Sequence, residues 1–547
     1  MENNSIYRDK LLMQLPRLLS LYDLNPYSQT RGFGDRLHWG WKLIDFNNGT
    51  FQGGIHTLSI MVKLGLFTDE QKEKVKEWIH WIIEGIGKIR YGNGSLIESF
   101  PYEYSFCVTA LVAFDLLSTI EHLEKEWNKS EHHWALSVAE PLIGFISHYD
   151  ETHGFISNHL ATAAAAVNKW NLLSGDKNLR GEEILSRIIE EQSAEGWYLE
   201  YEGPDPGYQT LCTYYLADYY LHNPDSALLG SLRESIKFLS YFVHPDGTIG
   251  GEYGSRNTEV YYPAGFEILK RKIPLAGPVA RIMRRSIEEN RTVSLEVIDP
   301  GNFIPMLNSY AVAALFAGKR TKREETLLPY EREQIDKFFP QAQIRIHGNT
   351  KYYTIVGASK GGVVKVYDKQ QHCIVWDGGG YIGIVKKFGE VSTQFWSTTR
   401  EVLNSQESIK VGAPFFKVLR EYPTPLRFTL LRILNITVMR NLTFGNRIKL
   451  LLVKMLITRK KPISASLTRT VLFQDDVVEI IDELVSNSVK FQWLEYGRKF
   501  TTIHMASSGY FQSQRFVKIK EPSPIDMEKL NCTGTLKNIN QVRIKKT

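Results

Sequence analysis

GFISNHLATAAAAVNKW, residues 154–170, decides how the rest of the chain is read. Alanine is the strongest helix former, so the run from Ala163 to Ala166 favours a helix. Its small side chains let that helix approach its neighbours closely, as an inner helix of a bundle must. Ser157 has the side chain of an N-cap, which makes Asn158 and His159 the first helical residues. A helix N-terminus carries roughly half a positive charge and free N–H groups. That field favours a bound anion and disfavours imidazolium, and a neutral imidazole is a competent base. A lone histidine there is an ordinary packed residue. The turns that follow must decide whether this one is more.

Glycine-containing turns recur through the first 300 residues: NNGTF (47–51), GNGSL (92–96), HGFIS (153–157), EGWYL (195–199), DGTIG (246–250) and PGNFI (300–304). Their glycines stand about 40–60 residues apart, the length of two helices and their loops. The intervening segments are of two kinds. DEQKEKVKEWIHWIIEGIGKI (69–89) places Val75, Trp78, Ile79 and Ile82 on one face of an outer amphipathic helix. SFCVTALVAFDLLSTIEHL (105–123) and YQTLCTYYLADYYLH (208–222) are apolar nearly all round, as buried inner helices are. Outer and inner helices alternating about six times predict an (α/α) toroid with its turns at one end, or else a stack of helical repeats.

The pattern changes after about residue 340. AQIRIHGNTKYYTIVGASKGGVVKVYDKQQHCIVWDGGGYIGIVKK reads as consecutive antiparallel strands broken at glycines, and TRTVLFQDDVVEIIDEL and KFQWLEYGRKFTTIHMASSGYF continue it. DGGGYIG (377–383) lacks the Lys-Ser/Thr of a phosphate loop and reads as a turn. The charged stretch 317–334 is the expected boundary. The predicted fold is α+β and multidomain: an (α/α) toroid over 1–330 carrying the chemistry, then an antiparallel β-sandwich over 331–547 with a basic amphipathic insertion at about 415–462.

That insertion holds the chain's basic character. The formal net charge is +6, yet Lys410 to Lys461 contains twelve Lys/Arg and one acid, Glu421, leaving the remainder at −5. Arg440, Arg447, Lys454 and Lys461 are seven apart and predict one cationic helix face with Leu and Ile on the others. Such a helix suits an anionic membrane surface, or else packs on the sheet with a solvated edge. Its apolar content is too high for a phosphate-binding stripe, so no nucleic-acid partner is expected. The N-terminus shows no signal-peptide pattern and no long apolar run occurs. The four cysteines are widely spaced, without metal spacing. Together these predict a cytoplasmic protein, with peripheral contact at the inner face of the membrane as one of the two readings of the insertion.

Three successive turns supply the candidate chemistry. The first carries Asn158 and His159. One repeat on, EGWYLEYEGPDPGYQ (195–209) places Tyr208 where the next inner helix begins, after a rigid Gly/Pro loop. The third, DGTIGGEYGSRNTEVYYPAGFE, offers Tyr253, Arg256, Asn257, Glu259 and Tyr261. NHLATAAAA (158–166) and Y-x-E-x-x-x-P-x-P-G-Y-Q (198–209) resemble the heparinase II/III-like and alginate lyase group of polysaccharide lyases, which combine an (α/α) toroid with a β-sandwich. The resemblance implies an acidic, uronate-containing oligo- or polysaccharide substrate and β-elimination. Asn158 would neutralise the uronate carboxylate, His159 would help take the C5 proton, and Tyr208 would donate to departing O4 or act as base on the other face. Arg256 is added as a bidentate carboxylate clamp. C5-epimerisation begins with the same proton abstraction and is the near alternative. A glycan-binding protein without chemistry, or a hydrolase using acids such as Glu98, Glu103, Glu200 or Glu259, are the others. The family's C-terminal domain commonly adds a His-rich motif and sometimes a metal. Here only His347, His372 and His504 are scattered through it, so neither metal nor cofactor is expected. Sugar contacts are expected from His38, Trp39 and Trp41 before the first turn, from Tyr102 and Glu103 in the second, and from Trp197, since pyranose rings pack on aromatic faces.

Overall fold

The computed structural model describes residues 5–35, 44–152, 154–318, 326–398, 400–419, 424–454, 460–498, 500–502 and 521–544. Among the described residues twelve α-helices come first: α1 (Ser5–Leu19), α2 (Ile55–Lys63), α3 (Asp69–Ile89), α4 (Phe106–His122), α5 (Lys129–His148), α6 (Ser157–Ser174), α7 (Arg180–Glu190), α8 (Pro206–His222), α9 (Ser226–Ser240), α10 (Ala264–Leu269), α11 (Ala276–Glu288) and α12 (Pro300–Phe316). The even-numbered helices form the inner ring. Each packs on the next, from α2 through α12, and α12 returns onto α2. Outside it, α3, α5, α7, α9 and α11 pack on the inner helices they follow, while α1 closes the circle against α12.

Burial follows the sequence pattern. In α3 only one stripe is buried, including Val75, Ile79, Ile82 and Ile86. In α4 every residue from Val108 to Ile120 is buried. In α6 Leu160 to Lys169 is buried, the alanines giving neighbours α4 and α8 close approach. Since each outer helix runs back, the N-termini of the inner helices share one end. Caps fix several of them: Ser105 for α4, Asp205 for α8, Asp299 for α12. Helix α6 departs from expectation. Its N-cap is Ile156, with no side-chain cap, and Ser157 is the first helical residue. The Ser157 hydroxyl donates instead to the Leu199 carbonyl at 2.8 Å, because the next turn of the toroid lies against it.

Helices give way to strands between Phe316 and Ile335. Strands β1 (Ile335–Phe339), β2 (Ile344–Gly348), β3 (Tyr352–Gly357), β4 (Val363–Asp368) and β5 (Cys373–Gly378) form an antiparallel meander in sequence order. A larger antiparallel sheet contains β6 (Gly380–Val385), β7 (Gly389–Ser392), β8 (Val402–Asn404), β9 (Ser408–Lys417), β10 (Pro462–Phe473), β11 (Val477–Ser486), β12 (Phe491–Gly497) and β13 (Thr535–Arg543). Its order is β12-β6-β7-β9-β10-β11-β13, with β8 on β9. DGGGYIG, read as a turn, is mostly strand: only Gly379 separates β5 from β6, and the chain changes sheets there.

The middle of the small sheet, β3 and β4, is buried on both faces. Along β3 and β4, Tyr352, Val356, Val364 and Val366 join the core shared with the large sheet. Tyr353, Ile355, Val363 and Tyr367 join a second core with Phe238, Phe242 and Tyr253 of the helical part. Strict alternation thus serves two apolar partners. The molecule is an (α/α) toroid followed by an antiparallel β-sandwich.

The basic insertion leaves the large sheet between β9 and β10. It forms α13 (Pro425–Ile436), a 3-10 turn over Val438–Arg440, and α14 (Leu442–Val453), while helix α15 (Met527–Thr533) packs on the sheet later. Arg440 sits in the turn, Asn441 caps α14, and Lys461 lies outside any helix. The seven-residue spacing therefore does not make one cationic face. The turn between the helices breaks it.

Candidate functional site

Three turns meet at the end of the toroid that carries the inner-helix N-termini. Backbone bonds stitch the first to the second: Ser157 N–H donates to Leu199 O at 3.1 Å and Tyr201 N–H to Phe155 O at 3.1 Å. The second is stitched to the third by Ser255 N–H to Pro204 O at 2.8 Å. Asp205, fully buried, does most of the rest. Its carboxylate accepts N–H from Tyr208 (3.1 Å), Arg256 (3.0 Å) and Thr258 (3.3 Å), and the Thr258 hydroxyl donates to it as well. One side chain therefore sets both the start of α8 and the arginine loop. Gly207 admits Thr258 at this junction, since a Cβ there would collide with the threonine hydroxyl.

His159 stands at the first turn of α6, its side chain 20% exposed. Its Nδ1 lies 2.7 Å from an oxygen of Glu151, whose side chain is buried. A carboxylate at that nitrogen favours the tautomer with the proton on Nδ1, which makes Nε2 the nitrogen with the lone pair. Asn158 is buried and donates from Nδ2 to Glu200 Oε2 at 2.8 Å. Burial pushes the Glu200 carboxyl up to about 8, against the pull of Arg256. Arg256 is itself buried, its guanidinium 4.3 Å from the centroid of the Tyr201 ring. Burial and that cation move the Tyr201 phenol in opposite senses, and it ends at about 12. Tyr208 is half-buried at the start of α8.

A fourth turn closes the group. Burial first, then neighbouring Glu103, raise the Glu98 carboxyl to about 7, with Lys449 and His159 pulling it back. Glu103 accepts the N–H groups of Glu98 (3.1 Å) and Ser99 (2.7 Å) and pairs with Lys449 of α14 at 2.8 Å. Burial works against the Lys449 ammonium, but Glu103 and then Glu151 hold it above the usual lysine value. Four non-glycine residues of these turns take left-handed backbone: Tyr102 (φ 61°), Tyr104 (φ 51°), Tyr201 (φ 60°) and Asn257 (φ 61°). Such conformations cost energy and persist where surrounding contacts enforce them, which is common at working sites.

Of the residues singled out by sequence, Asn158 and His159 open α6, Tyr208 opens α8, and Arg256 lies in the loop whose backbone Asp205 ties to that of Tyr208. Tyr102 and Glu103 lie at its rim, engaged by Arg440 and Lys449 of the insertion. Tyr253 and Tyr261 are corrections. Both are fully buried: Tyr253 stacks on Phe242 and bonds His244 at 2.7 Å, and Tyr261 packs on Phe266. Trp197 packs on the core between toroid and small sheet and donates to Glu195. Asn257 turns to the sandwich, donating to Gln394 and Thr501. Glu259 is buried within electrostatic reach of Lys365. His38, Trp39, Trp41 and His504 lie outside the described residues. Glu151 and Lys449 were not singled out. Glu151 had no signal beyond standing eight residues before His159, and Lys449 joins from a segment almost 300 residues away. Among the described residues no cluster of ligands suited to a metal ion occurs.

Glu200 gives a pH test. Its carboxyl rises from 4.5 to about 8 on folding, so the stability it contributes is complete below pH 4.5 and is lost as pH climbs to about 8. The loss is about 1.4 kcal/mol per pH unit across that window. Glu200→Gln keeps the shape and lacks the titration. Denaturation midpoints of the two proteins should diverge in favour of the variant from pH 4.5 to 8, and a constant gap would show that Glu200 does not titrate there.

No family model matches the sequence, and no curated protein matches it by sequence. Solved structures do match it. Chondroitin AC lyase from Streptomyces coelicolor, in complex with chondroitin sulphate, aligns over 89% of this chain and 67% of its own at 10% identity, TM-score 0.52. Heparinase III aligns over 88% and 71% at 13% identity, TM-score 0.49. Cellobiose 2-epimerase from Bacillus thermoamylovorans aligns over 57% of this chain and 98% of its own at 11% identity, TM-score 0.42. At such identities the likeness is one of fold: this chain shares the toroid-and-sandwich plan of the polysaccharide lyases.

Proposed function

We propose that this chain is a glycan-modifying enzyme, a polysaccharide lyase that removes the C5 proton of a uronate residue and expels O4. The carrying observation is the His159–Glu151 pair at the mouth of α6, beside the buried Asn158–Glu200 pair and in a turn stitched to those of Tyr208 and Arg256. A C5 hydrogen becomes acidic only when the adjacent carboxylate is quenched. A Glu200 protonated near neutral pH, bonded to Asn158 and backed by Arg256, offers donors rather than a repelling anion. His159 Nε2 then takes the C5 proton, the C5 electron pair forms the C4–C5 double bond, and O4 leaves with a proton from Tyr208. The fold shared with chondroitin AC lyase supports a glycan substrate.

The test is ultraviolet absorbance of the unsaturated product on incubation with uronate polymers. Absorbance should grow with the native protein, and Tyr208→Phe should lower its rate at least about 100-fold, the scale of a lost acid–base group. New reducing ends without that absorbance would instead indicate hydrolysis, with Glu98 as the acid.

A further inference from the structure

The insertion has two unlike sides. One side is ionic and seated on the toroid. Arg432 of α13 pairs with Asp45 at 2.7 Å, Arg440 donates to the Tyr102 hydroxyl at 3.3 Å, and Lys449 pairs with Glu103. Just beyond α14, Lys460 pairs with Glu202 at 2.8 Å. These partners belong to the turns before α2, α4 and α8, so the insertion lies across the end of the toroid where His159 opens. Leu442, Asn446 and Lys449 of α14 wall a small cleft with Tyr104 and Glu151, the latter the partner of His159.

The other side is apolar and bare. Leu426 is 72% exposed, and Phe428, Leu430, Ile433, Ile436, Phe444 and Leu451 are each about half exposed. Exposed apolar side chains scattered singly are ordinary on a protein surface; this many within 26 residues make a patch. Residues 425–454 contain six Lys/Arg and no acid, and Arg427, Arg447 and Lys454 lie exposed among the apolar side chains. On α14 the ionic contact of Lys449 and the exposed Leu450 and Leu451 are consecutive, so one helix presents both sides. Among the described residues no helix is long and apolar enough to cross a membrane.

We infer that α13 and α14 form a monotopic docking element for an anionic phospholipid surface, which sets the mouth of the candidate site against the bilayer. Apolar side chains flanked by cations, with no acid between, match a leaflet of negative headgroups over hydrocarbon. The inference deepens the proposed function, because it makes a membrane-held acidic glycan the accessible substrate. It is tested without any substrate.

The full chain is sedimented with vesicles of phosphatidylcholine alone and of phosphatidylcholine with phosphatidylglycerol. Binding should require phosphatidylglycerol and fall with added salt. Leu430→Ser with Ile433→Ser should weaken it at least tenfold, as should Arg427→Glu with Arg447→Glu, all at exposed positions and with an unchanged melting temperature. Equal binding to both vesicles would overturn the anionic assignment. Absence of binding to either, with a dimer on gel filtration that the serine pair dissociates, would assign the face to a second copy and overturn the proposal. Vesicle binding survives even if no elimination product is ever found, so the two readings fail separately.

Discussion

Replacing His159 with alanine should lower turnover by at least about 100-fold while the fold remains, because the ring is the base of the proposed reaction and contributes little to packing. Its side chain is one-fifth exposed, and α6 is anchored along Leu160–Val167 rather than at its mouth. The variant does leave buried Glu151 without its imidazole, although Lys449 remains within reach. His159→Gln removes that ambiguity, since the amide can still donate to Glu151 but cannot accept a proton at neutral pH. Both variants should lose turnover alike and keep cooperative melting. Glu151→Gln should cost about 10–100-fold, the scale of losing the group that orients a working histidine, with the larger loss in kcat rather than KM. Full activity of His159→Gln would remove the imidazole from the chemistry.

A second large effect is expected far from that histidine. Arg469 of β10 and Asp482 of β11 face each other across the large sheet, both fully buried. Two guanidinium bonds, 2.6 and 2.7 Å, join them. The Tyr381 hydroxyl donates to the same carboxylate at 2.9 Å, and Arg469 also donates to Gly362 O at 2.7 Å. Gly362 (φ 76°) suits this place, since a Cβ there would press on the arginine stem. Removing one partner leaves an uncompensated charge in the core. Arg469→Met should therefore cost about 3–5 kcal/mol, read as a lower urea midpoint. Arg469→Met with Asp482→Leu should recover most of that loss, because no charge remains buried. A double variant as unstable as the single one would show that packing around the guanidinium, not its charge, matters. The pair bears on the site through Tyr381 of β6. Gln394, just beyond β7, accepts from Asn257 in the arginine turn, so the sandwich braces the candidate site of the toroid.

Much of the fold was legible because burial imposes periods on sequence. Helix α4 is apolar all round since it has helices on every side, and α3 is striped since one side meets water. The strands announced themselves by alternation, although β3 and β4 alternate between two cores rather than between core and solvent. Less of the site could be read. Asn158 and His159 were visible because they stand just before an alanine run. Their surroundings were less so: Glu151 was not singled out, Glu200 was named only among possible hydrolase acids, and Lys449, the partner of Glu103, joins from the distant insertion. Ser157 looked like a cap because capping is a local rule, whereas its hydroxyl is taken by a carbonyl 42 residues away. Tyr253 and Tyr261 show the ambiguity of aromatics, which line clefts and fill cores with the same composition. The heptad of cations failed because spacing alone does not reveal that Asn441 begins a new helix after Arg440.

The most direct test follows the proton itself. A uronate oligosaccharide is incubated with the protein in deuterated water, and both recovered substrate and product are examined by mass spectrometry and NMR. Abstraction by His159 predicts a C4–C5 unsaturated product, or deuterium at C5 of the returned sugar, and neither with His159→Gln. Reducing ends formed with C5 still carrying its original hydrogen would contradict the account.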